Sequence, residues 1–114
     1  MHFFAVLADP VRRSIVEKLM NQQLSSGEIV DSVGGEFGIS QPAISQQLKV
    51  LRENGFATVD VDGNRRLYSL DSKGFEQMEE WLLPFKQFWE PKFHALAKEI
   101  DRGKRAKKKA NTKP

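Results

Sequence analysis

The chain has 114 residues and a mass of 13.0 kDa, which is the size of about one domain. With 39% hydrophobic and 29% charged residues, its composition is typical of a small soluble globular protein. Because it contains no cysteine, it has no disulfide framework, thiolate metal site or cysteine nucleophile. No apolar run approaches the roughly 20 residues of a bilayer span, and Met1-His2 does not open a signal peptide. We therefore expect a cytoplasmic protein with no membrane partner.

The net charge of +3 is distributed unevenly. The segment 102–114 contains seven of the 18 basic side chains and no acidic one, whereas residues 1–101 contain 11 basic and 15 acidic side chains. This composition predicts one folded domain over 1–101, followed by a basic, disordered tail over 102–114. The tail either adds sequence-independent attraction to phosphate or simply keeps the chain in solution.

The first half of the chain contains two clear helix starts. Asp9-Pro10 predicts an N-cap followed by a proline at the first helical position. Ser25 and Glu28 have the spacing of a capping box, in which each side chain accepts from the other residue's backbone N–H. The helix that they open is expected to end at Gly34-Gly35.

A third helix is predicted over 41–54, with Ser40 as its cap and Gly55 as its stop. Its apolar stripe, placed at helical spacing, consists of Ile44, Leu48 and Leu51. Winding the helix at 100° per residue points several polar side chains outward or onto a flank. These are Gln41, Ser45, Gln46, Lys49, Arg52 and Glu53.

The periodicity then changes. Residues 56–61 and 66–70 are short runs of strand-forming residues joined through Asp62-Gly63, which predicts a hairpin. Helical spacing returns from Ser72 to about Ile100, where Pro84 and Pro91 are expected to kink or split the helix. Three short helices followed by a two-stranded wing predict a mainly α fold with a small β-hairpin, the winged helix-turn-helix.

The helix over 41–54 and the wing together favour DNA binding. Outward Gln and Ser near a helix N-terminus can reach base edges in a major groove, and Lys49 is better placed for phosphate. Arg65 and Arg66 follow Asn64 near the tip of the ribbon, where arginine can enter a minor groove or hold the DNA backbone. Taken singly, each feature also fits a solvated helix face or an edge strand kept soluble by charge.

Three motifs resemble the ArsR/SmtB family of bacterial transcriptional repressors over roughly residues 3–100. They are Ala8-Asp9-Pro10-Val11-Arg12-Arg13, then Ile39-Ser40-Gln41-Pro42-Ala43-Ile44-Ser45-Gln46-Gln47-Leu48-Lys49-Val50-Leu51, and then Gly63-Asn64-Arg65-Arg66-Leu67-Tyr68-Ser69-Leu70. The resemblance implies a homodimer that binds double-stranded DNA at an inverted-repeat operator and represses transcription. By position, Gln41, Ser45 and Gln46 match the family's base-contacting residues.

The full set of predicted DNA-binding residues is Ser40, Gln41, Ser45, Gln46, Lys49, Asn64, Arg65 and Arg66. Gln47 lies nearer the buried stripe, so we expect it to form a structural hydrogen bond rather than a base contact. Asp9, Arg12 and Arg13 are expected to provide a cap and an internal ion pair that fixes helix packing.

The chain departs from the metal-sensing members of the family. The helix before the one over 41–54 lacks the cysteine-containing pair of those members, and on the last helix only Glu90 and His94 could contribute ligands. Two ligands do not make a metal site without help from a partner chain. We therefore predict no metal and no cofactor, and no motif specifies a small-molecule effector.

The last predicted helix carries six of the chain's 11 aromatic residues. A single small domain has too little interior for all of them, so a dimer interface is the economical explanation. The predicted interface residues are Phe3, Phe4, Leu7, Trp81, Phe85, Phe88, Trp89 and Phe93. A ligand pocket between two subunits is the alternative for the same aromatic surface.

Two other classes of function compete with a sequence-specific DNA-binding repressor. Winged helices also serve as protein-interaction or dimerisation modules, which have no need of arginines beside a Gln/Ser helix face. An enzyme fits worst, because the sequence has no cysteine, no plausible proton-shuttling histidine pair and no glycine-rich phosphate loop.

Overall fold

The computed structural model describes the backbone of residues 1–111 and the side chains of residues 1–92 and 95–100. The helices are α1 Phe3–Ala8, α2 Pro10–Asn21, α3 Ser26–Ile29, α4 Gly35–Phe37, α5 Gln41–Glu53 and α6 Lys73–Asn111, with a π-helical segment, Val30–Gly34, between α3 and α4. The strands are β1 Leu24–Ser25, β2 Ala57–Asp62 and β3 Arg65–Leu70. The chain divides into two compact units, residues 1–79 and a second that begins at residue 80.

The predicted helix caps are confirmed. The Asp9 carboxylate accepts hydrogen bonds from two N–H groups in the first turn of α2, at 2.8 and 3.2 Å. Ser25 and Glu28 form both halves of the capping box, at 3.1 and 2.9 Å. The Ser40 hydroxyl accepts from an N–H in the first turn of α5 at 3.4 Å. Each cap satisfies backbone donors that the helix itself cannot pair.

The prediction that Gly34-Gly35 ends a helix is wrong. The chain remains helical through the π-helical segment and α4, and its direction changes only at Gly38, which has a φ of +65°. Gly34 is buried, and a Cβ there would lie 3.2 Å from the carbonyl oxygen of Ile39. The position therefore holds glycine because another stretch of backbone approaches closely, and not because the helix must stop.

The wing forms as a hairpin, with one difference in its turn and one additional strand. Asp62 pairs with Arg65, so the two-residue loop is Gly63-Asn64, one position later than the sequence predicts. Gly63 has a φ of +62°, which suits such a loop. The short strand β1 pairs antiparallel with β3 and extends the hairpin to a three-stranded sheet of order β1-β3-β2.

The helix α6 is continuous through Pro84 and Pro91, so the predicted split is wrong. A proline removes only one backbone donor, and a long helix keeps its register through the remaining hydrogen bonds. The helix also runs through 102–111, ten residues into the segment predicted to be disordered. Residues 112–114 lie outside the described part of the chain, as do the side chains of the whole tail. Within the described residues, no helix is both long enough and apolar enough to cross a bilayer.

The core of residues 1–79 joins α1, α2, the α3–α4 segment, α5 and the sheet. Its buried members are Val6, Ile15, Val16, Leu19, Leu24, Ile29, Val33, Ile44, Leu48, Leu51, Phe56, Ala57 and Tyr68. The arrangement is the predicted winged helix-turn-helix. It holds the inner face of α5 in the core and leaves its outer face exposed.

Candidate nucleic-acid interface

The two faces of α5 have opposite characters. Ile44, Leu48 and Leu51 are buried, as the sequence predicts. The side chains of Gln41, Ser45, Gln46 and Lys49 are exposed. Because one face is held by the core, the position and direction of the polar face are fixed without any contribution from its own side chains.

A hydrogen-bonded arginine ties α5 to the first two helices. Nη1 of Arg12 on α2 donates to Oε1 of Gln47 on α5 at 2.7 Å. The same guanidinium donates to the carbonyl oxygens of Val6 and Ala5, at 2.6 and 3.2 Å, near the end of α1. The structural role predicted for Gln47 is therefore confirmed. Arg12 mainly caps α1, since its ion pair with Asp9 is long at 3.9 Å.

A concave notch lies between one flank of α5, the start of the α3–α4 segment at Ser26 and Val30, and β3. Its walls include Gln41, Ser45 and Lys49 from α5 and Arg66 from the wing, so the structure brings these four predicted DNA-binding residues together. Arg52, which the sequence pattern places only on a flank of the helix, lines the same notch. Its position seven residues after Ser45 and three after Lys49 is the signal that could have identified it.

The two wing arginines lie on opposite faces of the hairpin. Arg66 is opposite Val61 and shares its face with Val59 and Tyr68, whereas Arg65 is opposite Asp62. Neighbouring residues of a strand point to opposite faces, and directly paired residues share one. The face of Arg65 also carries Asp60 and Asp62, so the basic side of the wing is the one that carries Arg66 and borders α5.

Two of the predicted phosphate-binding cations have carboxylate partners within the chain. Arg65 Nη2 lies 3.8 Å from Glu28 Oε1, and Lys49 Nζ lies 4.0 Å from Glu53 Oε1. The Ser25 backbone N–H and hydroxyl, and then the Arg65 guanidinium, hold the pKa of Glu28 below its usual range. Both pairs are more than half exposed, so each is a weak contact that an incoming phosphate can displace.

The remaining predicted DNA-binding residues are not among those that line the notch. Ser40 caps α5 and is exposed at its N-terminus. Gln46 is exposed one position further around the helix than Ser45, and Asn64 is exposed in the loop of the wing. The predicted residues therefore fall into three places: the notch, the part of α5 outside it with Ser40 and Gln46, and the wing with Asn64 and Arg65.

The predicted dimer residues differ in exposure. In α1, Phe3 and Leu7 are half-buried against the core, and Phe4 is exposed. In α6, Trp81, Phe85 and Phe88 are exposed, Phe88 to 70%, and Trp89 is half-buried. The ring centroids of Trp81 and Phe85 lie 4.7 Å apart. The side chain of Phe93 lies outside the described residues.

No group of three or more metal-ligating side chains occurs among the residues whose side chains the structure describes. Glu90 is exposed, and the side chain of His94 lies outside the described part of the chain.

Comparison with known proteins assigns this fold to a family. Residues 9–59 match the model of the bacterial regulatory protein, arsR family. The HTH-type transcriptional regulator Rv2034 of Mycobacterium tuberculosis is 36% identical over 95 residues, which cover 83% of this chain and 82% of that protein. The chain belongs to the ArsR family. It is therefore a DNA-binding transcriptional regulator with a helix-turn-helix, and not an enzyme.

Two further proteins are similar to this chain. The transcriptional repressor SdpR of Bacillus subtilis is 29% identical over 72% of this chain and 87% of that protein. The crystal structure of the ArsR family transcriptional regulator RHA00566 superposes with a TM-score of 0.67 at 24% identity, covering 78% of this chain and 88% of the other. At that identity the likeness concerns the fold, and it confirms the winged helix.

Proposed function

We propose that this ArsR-family chain acts as a homodimeric repressor that binds an inverted-repeat operator. One α5 enters each of two successive major grooves, and two-fold symmetry sets the half-sites about one helical turn, ~10 bp, apart. The observation that carries this proposal is the pairing of an exposed Gln/Ser face on α5 with the arginine-bearing notch beside it. The buried inner face of α5 makes the outer face a rigid reading surface.

Base recognition is assigned to Gln41, Ser45 and Gln46. A glutamine can pair with both N6 and N7 of adenine in the major groove, and a serine hydroxyl can donate or accept there. Positioning on the DNA backbone is assigned to Ser40, Lys49, Asn64, Arg65 and Arg66. These residues contribute affinity that depends on salt more than on sequence.

Dimerisation is assigned to the exposed aromatic residues of α6 together with Phe3, Phe4 and Leu7. Aromatic side chains are enriched in the buried centres of protein interfaces. Phe85 and Phe88 are exposed. Covering them with a second copy of the chain lowers the free energy, because it removes apolar surface from water. The basic tail 102–114 would add sequence-independent attraction to the same DNA, and the cytoplasmic location remains a prediction.

Capture of random duplex DNA by the purified protein at ~0.15 M salt, followed by sequencing, tests this function. The expected result is enrichment of a palindrome whose half-sites are one turn apart. The K107Q/K108Q/K109Q variant, which reduces the charge of the tail, should select the same palindrome. Sequence-blind capture that disappears as salt rises would contradict the proposal and favour an interaction module.

A further inference from the structure

The notch between α5 and β3 gathers three cations around a partly apolar floor. Lys49 and Arg52 come from α5 and Arg66 from the wing, while Leu48 and Tyr68, which also line the notch, are buried. Ser45 adds a hydroxyl to the wall. A concave site with a buried floor strengthens the attraction of a bound anion relative to the same charges on an open surface.

Arg52 and Arg66 are the cations of the notch that no carboxylate among the described side chains pairs with. Among the residues that the structure describes, neither forms an ion pair, whereas Lys49 lies near Glu53. The nearest strand pairing places Val61, and not an acidic residue, opposite Arg66. The two guanidinium groups therefore carry unneutralised charge in the free protein.

We propose that Arg52 and Arg66 together bind one phosphate of the DNA backbone in this notch. The proposal rests on the proposed function, and it adds Arg52 to the DNA contacts predicted from the sequence. Guanidinium groups present paired donors that match phosphate oxygens, and the Ser45 and Tyr68 hydroxyls can complete the hydrogen bonds. With Gln41 and Ser45 on its wall, the notch lies beside the reading face of α5. The bound phosphate therefore sets the register of that face on the bases.

The salt dependence of DNA affinity tests whether the two arginines share one phosphate. The slope of log affinity against log salt falls by about 0.9 for each phosphate that the protein no longer neutralises. Counted per protomer, the slope of R52Q/R66Q should fall by about 0.9 if the two residues hold the same phosphate. A fall of about 1.8, or none, overturns the proposal.

Double-mutant cycles provide a matched control, because Arg65 lies on the other face of the same wing. R52Q and R66Q are each expected to weaken binding roughly tenfold, and R52Q/R66Q by clearly less than the product of the two. R52Q/R65Q should show the full product of its single effects. If the effects of the single substitutions multiply to the same degree in both cycles, the proposal of a shared phosphate is overturned.

Two further measurements distinguish the shared phosphate contact from a general effect of charge and from a loss of folding. R66K keeps the charge but loses the paired donors, so it should weaken binding while keeping the slope. Arg52 and Arg66 are exposed, so unfolding midpoints should match that of the parent chain. All slopes are measured on both the selected operator and a random duplex. If the parent chain does not discriminate between them, the proposed function fails, while the random duplex still tests the notch.

Discussion

The two units of the chain treat their apolar side chains in opposite ways. In residues 1–79 the core is closed, and every buried apolar residue lies between Val6 and Tyr68. From residue 80 onward, no side chain that the structure describes is buried, and Trp81, Leu83 and Phe88 are among those exposed. The first unit therefore has a closed core of its own, whereas the second presents an exposed apolar surface.

The largest expected effect is in the closed core. Phe56 is fully buried and packs edge-to-face on Phe75 at 5.1 Å between ring centroids. Phe56→Ala should lower the free energy of unfolding by about 3–5 kcal/mol, because it removes a large side chain and leaves a cavity. Urea unfolding followed by circular dichroism measures this change. A decrease below about 1 kcal/mol would contradict the account of the core.

Substitutions on α6 should affect association rather than folding of the first unit. Phe88→Ala is expected to weaken self-association by about 2 kcal/mol or more, roughly 30-fold, if Phe88 lies at the centre of the dimer interface. Sedimentation equilibrium measures it. Met20→Ala is the matched control, since Met20 is 76% exposed in the first unit and belongs to no predicted interface. If Phe88→Ala and Met20→Ala both self-associate as strongly as the parent chain does, the dimer assignment is refuted.

Substitutions in the hydrogen bonds that Arg12 makes between α1, α2 and α5 should have an intermediate effect on stability. Arg12→Ala removes the hydrogen bonds to Gln47, Val6 and Ala5, and it should cost about 2 kcal/mol of stability. Gln47→Ala should cost about 1 kcal/mol, because it removes only one of those bonds. Thermal unfolding of the two variants and their double gives the coupling. A double variant whose destabilisation equals the sum of the singles would show that the 2.7 Å hydrogen bond between Arg12 and Gln47 carries no energy.

The smallest expected effect on DNA affinity is on the face of the wing that carries Arg65. In Glu28→Gln the amide can still accept the Ser25 N–H, but the charge beside Arg65 is removed, so DNA affinity should rise about twofold. The lowered pKa of Glu28 means that its carboxylate stabilises the fold above its ordinary pKa. This contribution disappears as pH falls through the lowered value. The parent should therefore lose an acid-sensitive part of its stability that the variant lacks.

The sequence predicted the elements whose signals are local. The caps at Asp9, Ser25 and Ser40 and the stripe of α5 depend on spacing within one or two turns, so they could be recognised without tertiary information. The hairpin was recognisable from its turn residues and strand formers. The winged fold followed from the order of these elements.

What the sequence did not predict depends on contacts between distant segments. The strand β1 has two residues, too few for any periodic pattern, and it exists because β3 lies beside it. Gly34 was misread as a helix stop because its close approach to Ile39 is a tertiary feature. That Arg65 and Arg66 lie on different faces of the hairpin follows from strand alternation and could have been predicted from the sequence. The meeting of Arg52 and Arg66 in one notch could not.

Gln46→Ala tests most directly whether the exposed face of α5 reads bases. The measurement is the ratio of affinities for the selected operator and a random duplex, with Gln77→Ala as the matched control at an exposed glutamine on α6. Gln46→Ala is expected to lower this ratio by a factor equivalent to about 1–3 kcal/mol per protomer and to leave random-duplex affinity unchanged. An unchanged ratio, which includes an equal fold decrease in affinity for both duplexes, would contradict base reading by Gln46.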